Sequence, residues 1–182
     1  DVDYAKQKGI QIISTPEGNS NAVGEHALGM LLSLLNNINS SSKEVQKGIW
    51  NRESNRGIEL KDKTVGLIGY GNTGKSFAKK LNGFDVNTIF YDIKKIKKDN
   101  YANPVSLNYL KDNSDIISLH VSMTEESIGL INKNFIESCA KPFWLINTSR
   151  GSCIIINDLV KGLKDGKVLG AGLDVIAFER KS

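Results

Sequence analysis

Apolar residues recur at two different spacings along the chain, and the change between them predicts the order of secondary structure. From Asn19 to about Lys47 they keep the spacing of one helical face, which predicts a long helix, and the polar run Asn36–Ser42 indicates a kink. From residue 64 onward, short apolar runs alternate with helical patterns, which is typical of a parallel sheet covered on both faces. The predicted strands are Thr64–Ile68, Val86–Tyr91, Ile116–Leu119, Phe143–Ile146 and Val168–Leu173. The predicted helices are Thr73–Leu81, Leu107–Leu110, Lys133–Ser138 and Ile156–Leu163.

Composition narrows the kind of protein. Among 182 residues, 40% are hydrophobic, the net charge is +4, and the sequence is free of a signal-peptide pattern and of an apolar stretch long enough to cross a bilayer. This mild positive excess does not indicate nucleic acid, and we interpret the four lysines between Lys94 and Lys98 as a solvated loop in preference to a phosphate-binding patch. Cys139 and Cys153 lie in apolar surroundings without CxxC spacing. They indicate reduced thiols of a cytoplasmic protein, with neither a disulfide nor a metal site.

The clearest motif is a glycine-rich turn between the first predicted strand and the helix that follows it. Its residues match the pattern G-x-G-x-x-G and are Gly69, Tyr70, Gly71, Asn72, Thr73 and Gly74. In such a turn the first glycine permits the tight bend, the second lets a pyrophosphate approach the backbone, and the third lets the helix pack on the strand. The helix N-terminus adds free N–H groups and a positive dipole end. A dinucleotide site is therefore predicted here, with Asn72 and Thr73 covering the pyrophosphate.

An acidic residue stands where the ribose of a dinucleotide is expected. Asp92 ends the next predicted strand, about 18 residues after Gly74, close to the spacing of roughly 20 in the Rossmann fingerprint. Its carboxylate can accept both ribose hydroxyls and would repel a 2′-phosphate, so the cofactor expected is NAD. A flavin or a methyl-donor nucleoside on the same fold is the alternative that this reasoning leaves open.

These patterns predict an α/β chain built on a Rossmann doubly wound parallel sheet. Before it, a short helix Asp3–Gln7 and a strand Ile10–Ile13 have too few residues for a core of their own. We therefore expect residues 1–16 to be a remnant of a substrate domain. Residues 17–182 would be the dinucleotide-binding domain, truncated at its C-terminal end.

Several further segments resemble the D-isomer-specific 2-hydroxyacid dehydrogenases, most closely their phosphoglycerate-dehydrogenase-like branch. These segments are Thr15–Asn19, Val23–Ala27, Asp115–His120, Leu145–Gly151 and Gly170–Val175 with Glu179. The chain departs from the family pattern at two places, where Ser122 and Arg180 stand at positions that proline usually holds.

The resemblance implies roles for individual residues. Arg150 would clamp a 2-oxo-carboxylate and polarise its carbonyl, and Glu179 would pair with a catalytic histidine. Asp174, Thr148 and Ser149 would line the nicotinamide side of the cofactor, with Arg150 beside them. His120 and Val121 would line the cofactor cleft.

The chain contains two histidines, and neither stands at the family's catalytic position. We expect the general-acid histidine beyond Ser182, and we interpret His26 as a structural polar contact beside Glu25. The implied activity is hydride transfer between NAD and a small 2-hydroxy or 2-oxo acid, first of all oxidation of 3-phosphoglycerate toward serine. A homodimer through residues 19–50 is also implied. The alternatives are a non-enzymatic NAD-sensing protein resembling the family's transcriptional corepressors, and a dimerising interaction module, which leaves the glycine turn unexplained.

Overall fold

A computed structural model describes residues 2–177, and its helices and strands alternate from residue 64 onward as the sequence predicts. The helices are α1 (Val2–Gln7), α2 (Ser20–Leu35), α3 (Ile38–Gln46), α4 (Asn72–Leu81), α5 (Leu107–Asn113), α6 (Lys133–Ser138) and α7 (Ile156–Lys164). The strands are β1 (Thr64–Ile68), β2 (Asn87–Tyr91), β3 (Asn103–Pro104), β4 (Ile116–Leu119), β5 (Phe143–Asn147) and β6 (Val168–Leu173). Short 3₁₀ turns at Glu125–Ser127 and Gly151–Cys153 complete the described elements.

The strands form a single parallel sheet in the order β3-β2-β1-β4-β5-β6. The order reverses direction beside β1, and in doubly wound sheets ligands bind at the carboxyl ends of the strands at such a switch point. The predicted Rossmann α/β fold is therefore confirmed. Strand β3 escaped prediction because it has only two residues, one of them a proline.

Each interior strand contributes side chains to two apolar cores on opposite faces of the sheet. In β1, Leu67 packs into the core under α2 and α4, whereas Ile68 packs into the core under α5, α6 and α7. Ile116 and Ile117 of β4 divide in the same way. This double burial explains why the strands have continuous apolar runs in place of a polar–apolar alternation.

The predicted long helix is divided in two at its polar run. Asn37 adopts the left-handed conformation, with φ 53°, between the end of α2 and the start of α3. The N–H of Ile58 donates to the carbonyl of Leu35 at 3.0 Å, so the loop after α3 folds back against this break. The kink indicated by Asn36–Ser42 is thus a complete interruption, since an asparagine can take a conformation that ends the helix.

The predicted strand at Ile10–Ile13 was wrong. These residues form no ladder in the described structure, and Ile13 is 80% exposed. An apolar run becomes a strand only when another strand supplies its hydrogen bonds, and here no neighbouring strand among residues 2–177 does so.

Candidate cofactor and active site

The carboxyl ends of the central strands bring most of the predicted site residues to one edge of the sheet. The N–H of Gly69 donates to the carbonyl of Tyr91 at 2.8 Å, and the N–H of His120 donates to that of Ile68 at 2.8 Å. Gly69, Gly71, Asp92, His120 and Val121 all line one cleft of about 490 Å³. This cleft begins over β1 and extends toward the segment that follows β2.

Each glycine of the turn is favoured over other residues for a different physical reason. Gly69 has φ 93°, and a Cβ there would lie 2.5 Å from the carbonyl oxygen of His120, so the turn and β4 approach each other too closely for a side chain. A Cβ on Gly74 would collide with the carbonyl oxygen of Gly69. A Cβ on Gly71, in contrast, would meet no described atom within 4 Å. The space above Gly71 is therefore open to a ligand.

Helix α4 begins at this open space. Asn72 and Thr73 are its first residues, and in the described structure no side chain caps its N-terminus through Gly71. The first N–H groups of a helix have no partner within the helix, and they carry the positive end of its dipole. The pyrophosphate of a dinucleotide is a ligand of the correct charge for these groups.

Asp92 both builds the turn and faces the cleft. One carboxylate oxygen accepts the N–H of Tyr70 at 2.7 Å, and the other accepts the N–H of Lys94 at 2.8 Å. A carboxylate has about four acceptor sites, so each oxygen can still accept a ribose hydroxyl. The side chain is held in position before any ligand arrives.

Tyr70 supports the turn from below and does not contact the cleft. Its side chain is fully buried, its ring stacks on Phe90 with centroids 3.8 Å apart, and its hydroxyl donates to Asp99. The backbone N–H is engaged by Asp92. The side chain of Tyr70 therefore does not supply the predicted contact with the cofactor, because it is buried and its hydroxyl binds Asp99.

His120 is a buried and neutral residue at the back of the cleft. Its Nε2 lies 2.9 Å from the hydroxyl of Ser118, and burial lowers the pKa of the imidazole to about 4. Its ring is tilted against that of Phe77, with centroids 5.3 Å apart. A ring that stays uncharged near neutral pH is suited to lining a cofactor cleft and not to donating protons.

A second group of predicted residues follows β5 and β6. Buried Asn147 organises it: its side-chain oxygen accepts the N–H of Ser149 at 2.9 Å, and its amide nitrogen donates to the carbonyl of Arg150 at 3.0 Å. The guanidinium of Arg150 is exposed and donates to the carbonyl of Ser149 at 2.7 Å. The N–H of Asp174 donates to the carbonyl of Asn147 at 3.0 Å, which fixes both segments together.

His26 makes a polar contact, as expected, and its partner is Asp174 rather than its chain neighbour Glu25. His26 Nε2 lies 3.0 Å from a carboxylate oxygen of Asp174, and both side chains are about half exposed. Glu25 instead accepts from Lys80 at 3.3 Å. Sequence spacing gave no signal for this contact, because 148 residues separate the pair. Glu179, predicted to be catalytic, lies outside the described residues.

Buried polar atoms without partners indicate where a ligand fits. Among residues 2–177, four side-chain atoms are buried and have no hydrogen-bond partner: Thr148 Oγ1, Ser149 Oγ and His120 Nδ1 at this edge, and Ser114 Oγ, which lies beside Gly66 inside the sheet. Such atoms are rare in folded proteins and suggest a missing partner. Together with the open space at Gly71 and the aligned Asp92, the three at this edge fit a dinucleotide that extends along it.

The part of the chain that is described gives no comparable support for a metal site or for a membrane-spanning helix. No group of three or more His, Cys, Asp and Glu side chains between residues 2 and 177 is placed to hold a metal ion. No helix in that range is long and apolar enough to span a bilayer. Cys139 and Cys153 are both buried as free thiols, and burial raises the pKa of Cys139 to about 11.

Comparison with known proteins identifies the family. Residues 28–182 match the family model described as D-isomer specific 2-hydroxyacid dehydrogenase, NAD binding domain. The glyoxylate reductase of Thermofilum pendens is 37% identical, over 98% of this chain and 55% of that protein. The D-3-phosphoglycerate dehydrogenase of Archaeoglobus fulgidus is 34% identical, over 100% of this chain and 35% of that protein.

Solved structures agree with the sequence comparison. The D-lactate dehydrogenase of Aquifex aeolicus, determined with NAD and lactic acid, superposes with a TM-score of 0.86 at 33% identity, covering 97% of this chain and 54% of that one. The present chain thus spans about half the length of that structure. Since the family model covers most of the chain, the protein belongs to the D-isomer specific 2-hydroxyacid dehydrogenase family, and the described sheet is the NAD-binding domain of that family.

Proposed function

We propose that the intact protein is an NAD-dependent oxidoreductase that interconverts a D-2-hydroxy acid and its 2-oxo acid. The observation that carries this proposal is the arrangement of Arg150 and Asp174 around Asn147, at the same sheet edge as the glycine turn. It provides a cation for a substrate carboxylate beside the strand ends where α/β sheets bind ligands. When bound, NADH would supply the hydride for reduction of the 2-oxo acid, and NAD⁺ would accept it in oxidation of the 2-hydroxy acid.

The chain's own residues would orient the substrate. An exposed guanidinium can grip a carboxylate through two parallel hydrogen bonds and polarise the neighbouring carbonyl. Arg150 is held for this role through Ser149 and Asn147, since its own carbonyl and that of Ser149 are both engaged. By family resemblance, Glu179 and a histidine beyond residue 182 would hold and donate the proton that the substrate oxygen receives.

The substrate we propose first is 3-phosphoglycerate, with 3-phosphohydroxypyruvate as its oxidised form. Support comes from the resemblance to the phosphoglycerate-dehydrogenase-like branch and from the relative of that name in Archaeoglobus fulgidus. Another relative is named glyoxylate reductase. The identity of the substrate is therefore the most specific part of the proposal, and it is tested separately from the reaction class.

The experiment uses the full-length protein with NADH and a panel of 2-oxo acids: 3-phosphohydroxypyruvate, hydroxypyruvate, glyoxylate and pyruvate. We expect the highest kcat/KM with the phosphorylated acid. If another acid is reduced best, the substrate assignment is wrong and the reaction class stands. If NADH binds but none of the acids is reduced, the dehydrogenase proposal fails and the NAD-sensing corepressor alternative is favoured.

The Arg150→Lys variant tests the role of the guanidinium. Lysine keeps the charge but loses the paired donors, so kcat/KM should fall by about a hundredfold, as when a transition-state hydrogen-bond donor is removed. Arg56→Lys is the matched control, because Arg56 is exposed and, among the described residues, pairs only with Glu53, three residues earlier in the loop after α3. Equal activity of both variants would remove Arg150 from the mechanism.

We also propose that the protein forms a homodimer through residues 19–50. The later part of this segment carries an apolar surface made of Ile38, Val45, Ile49 and Trp50, of which Trp50 is 80% exposed. These residues line a groove of about 500 Å³, and exposed apolar patches of this kind commonly mark contact sites.

Sedimentation of the full-length protein should show a dimer, and Trp50→Glu should weaken it. Tyr4→Glu, at another exposed aromatic residue, is the control. A wild-type monomer at high concentration contradicts this proposal.

A further inference from the structure

A buried aromatic residue connects the glycine turn to the segment that follows β2. Tyr70 is fully buried and stacks on Phe90 of β2, with an interplanar angle of 8°. Its hydroxyl lies 2.9 and 3.0 Å from the two carboxylate oxygens of Asp99. The side chain therefore crosses beneath the turn and reaches a residue about 30 positions later.

Asp99 is itself firmly held. One of its oxygens also accepts the N–H groups of Tyr101 and Ala102, at 2.9 and 3.1 Å. Burial acts to raise the pKa of Asp99, but these hydrogen bonds, that of Tyr70 and the charge of Lys75 outweigh it, so the pKa lies below its ordinary value. The carboxylate stays ionised, and hydrogen bonds to an ionised group are stronger than those between neutral partners.

Tyr70 remains the donor of this pair. Burial first, and then the neighbouring Asp99, raise the pKa of its phenol well above the ordinary value. The ammonium of Lys75 lies 5.9 Å from the centre of the same ring, which adds a cation to the cluster. The cluster thus combines a stacked ring, a charged acceptor and a nearby cation, all beneath the turn.

The segment between these anchors forms one wall of the cleft. At its start, Asp92 accepts the N–H of Tyr70, and at its end Asp99 accepts the hydroxyl of the same residue. Between them, Ile93, Lys94 and Ile96 line the cleft. One residue of the glycine turn therefore holds both ends of the wall that lies beside the expected adenosine.

We propose that Tyr70 and Asp99 are positioning residues that set the affinity for the adenosine half of the dinucleotide by fixing segment 92–99 against the glycine turn. The proposal rests on NAD binding by this domain and does not depend on the substrate or the reaction. Neither side chain needs to touch the ligand, because each acts through Asp92 and the cleft wall.

The test compares Tyr70→Phe with Tyr109→Phe in the full-length protein. Phenylalanine keeps the stack on Phe90 and removes only the hydroxyl, whereas Tyr109 is 52% exposed on α5 and serves as the matched control. We expect Tyr70→Phe to weaken binding of ADP-ribose by about threefold to tenfold, a fraction of what a hydrogen bond to a charged group contributes. Binding of nicotinamide mononucleotide should be unchanged, and Tyr109→Phe should bind both as the wild type does.

Asp99→Asn provides the second variant. The amide keeps an acceptor for Tyr70 but loses the charge, so its ADP-ribose affinity should fall between those of the wild type and Tyr70→Phe. A merely structural role would lower the thermal midpoint and leave the ADP-ribose affinity unchanged, or would weaken both half-ligands equally. Either result overturns the proposal. If Tyr70→Phe does not fold, wild-type affinity of Asp99→Asn overturns it equally.

Discussion

His26 and Asp174 meet at 3.0 Å although they lie 148 residues apart in the chain. The contact joins the middle of α2 to the residue that follows β6, directly beside the segment led by Asn147. If Asp174 binds the nicotinamide side of the cofactor, as the family resemblance implies, His26 determines where its carboxylate lies. His26, which is not one of the expected catalytic residues, is therefore predicted to affect cofactor binding.

The His26→Ala variant should weaken binding of NADH while leaving that of ADP-ribose unchanged, because only the nicotinamide end loses a fixed carboxylate. His26→Gln keeps a donor and should restore most of the affinity. The free energy of unfolding should change by less than about 1 kcal/mol, since the pair is half exposed and solvent screens it. Fluorescence titration with both ligands measures the effect, and equal loss for ADP-ribose would argue against it.

Gly71→Ala should separate cofactor binding from folding. A Cβ at this position meets no described protein atom within 4 Å, and the backbone is extended, with φ −79° and ψ −153°, outside the left-handed region that favours glycine. The free energy of unfolding should therefore change by less than about 1 kcal/mol. NADH affinity should fall, because the methyl group occupies the space meant for the pyrophosphate.

The control for that variant is Gly74→Ala, which places a methyl group against the carbonyl of Gly69. It should lower the thermal midpoint even without ligand. Unfolding and NADH titration of both variants provide the comparison. Undiminished NADH binding by Gly71→Ala would show that the phosphates lie elsewhere.

Asp92 should make the protein prefer NADH over NADPH. Asparagine has a similar size and removes the charge that repels a 2′-phosphate, but its single amide oxygen can keep only one of the two hydrogen bonds from the N–H groups of Tyr70 and Lys94. Asp92→Asn should shift the ratio of the two affinities toward NADPH by about tenfold, equivalent to about 1.4 kcal/mol. Titration of wild type and variant with both cofactors measures the ratio. Tighter binding of NADPH by the wild type would refute the assignment.

Stability should fall on mild acidification because of His120. Its folded pKa of about 4 lies below the ordinary value of 6.5, so the unfolded chain takes up a proton first. Its contribution to stability is complete above pH 6.5 and is lost as the pH falls toward 4, by an amount on the order of 3 kcal/mol. Urea unfolding at pH 7, 6 and 5 should show this slope, and His120→Gln should flatten it. An unchanged slope in His120→Gln would show that other titrating groups cause the loss of stability.

Local features of the site could be predicted from sequence, whereas contacts between distant segments could not. The turn at Gly69 and the acid at Asp92 were found because strand, glycines and helix are neighbours in the chain. The direction of Tyr70 was missed, since the G-x-G-x-x-G pattern says nothing about which way its variable residue points. Asp99 carried a weak signal, as an aspartate whose side chain accepts N–H groups two and three residues later is typical of a turn.

An apolar pattern predicted its helix or strand correctly only where the fold supplied a neighbouring element for that segment to pair or pack with. The apolar residues of β1 became a strand because β2 and β4 flank it, while those at Ile10–Ile13 lacked such neighbours. Likewise, the pattern of α2 and α3 gave the correct helical face but not its end, because the left-handed conformation of Asn37 depends on the loop that folds back on Leu35.

The unequal surroundings of the turn's glycines bear on how the motif would change over evolutionary time. The backbone itself excludes side chains at Gly69 and Gly74, so selection for folding alone would preserve them. Only at Gly71 would preservation of the glycine depend on selection for ligand binding. A descendant that kept this fold but abandoned its cofactor would retain the outer glycines and accumulate substitutions at the middle one. The middle position is therefore the one from which a lost nucleotide site could be recognised in a lineage.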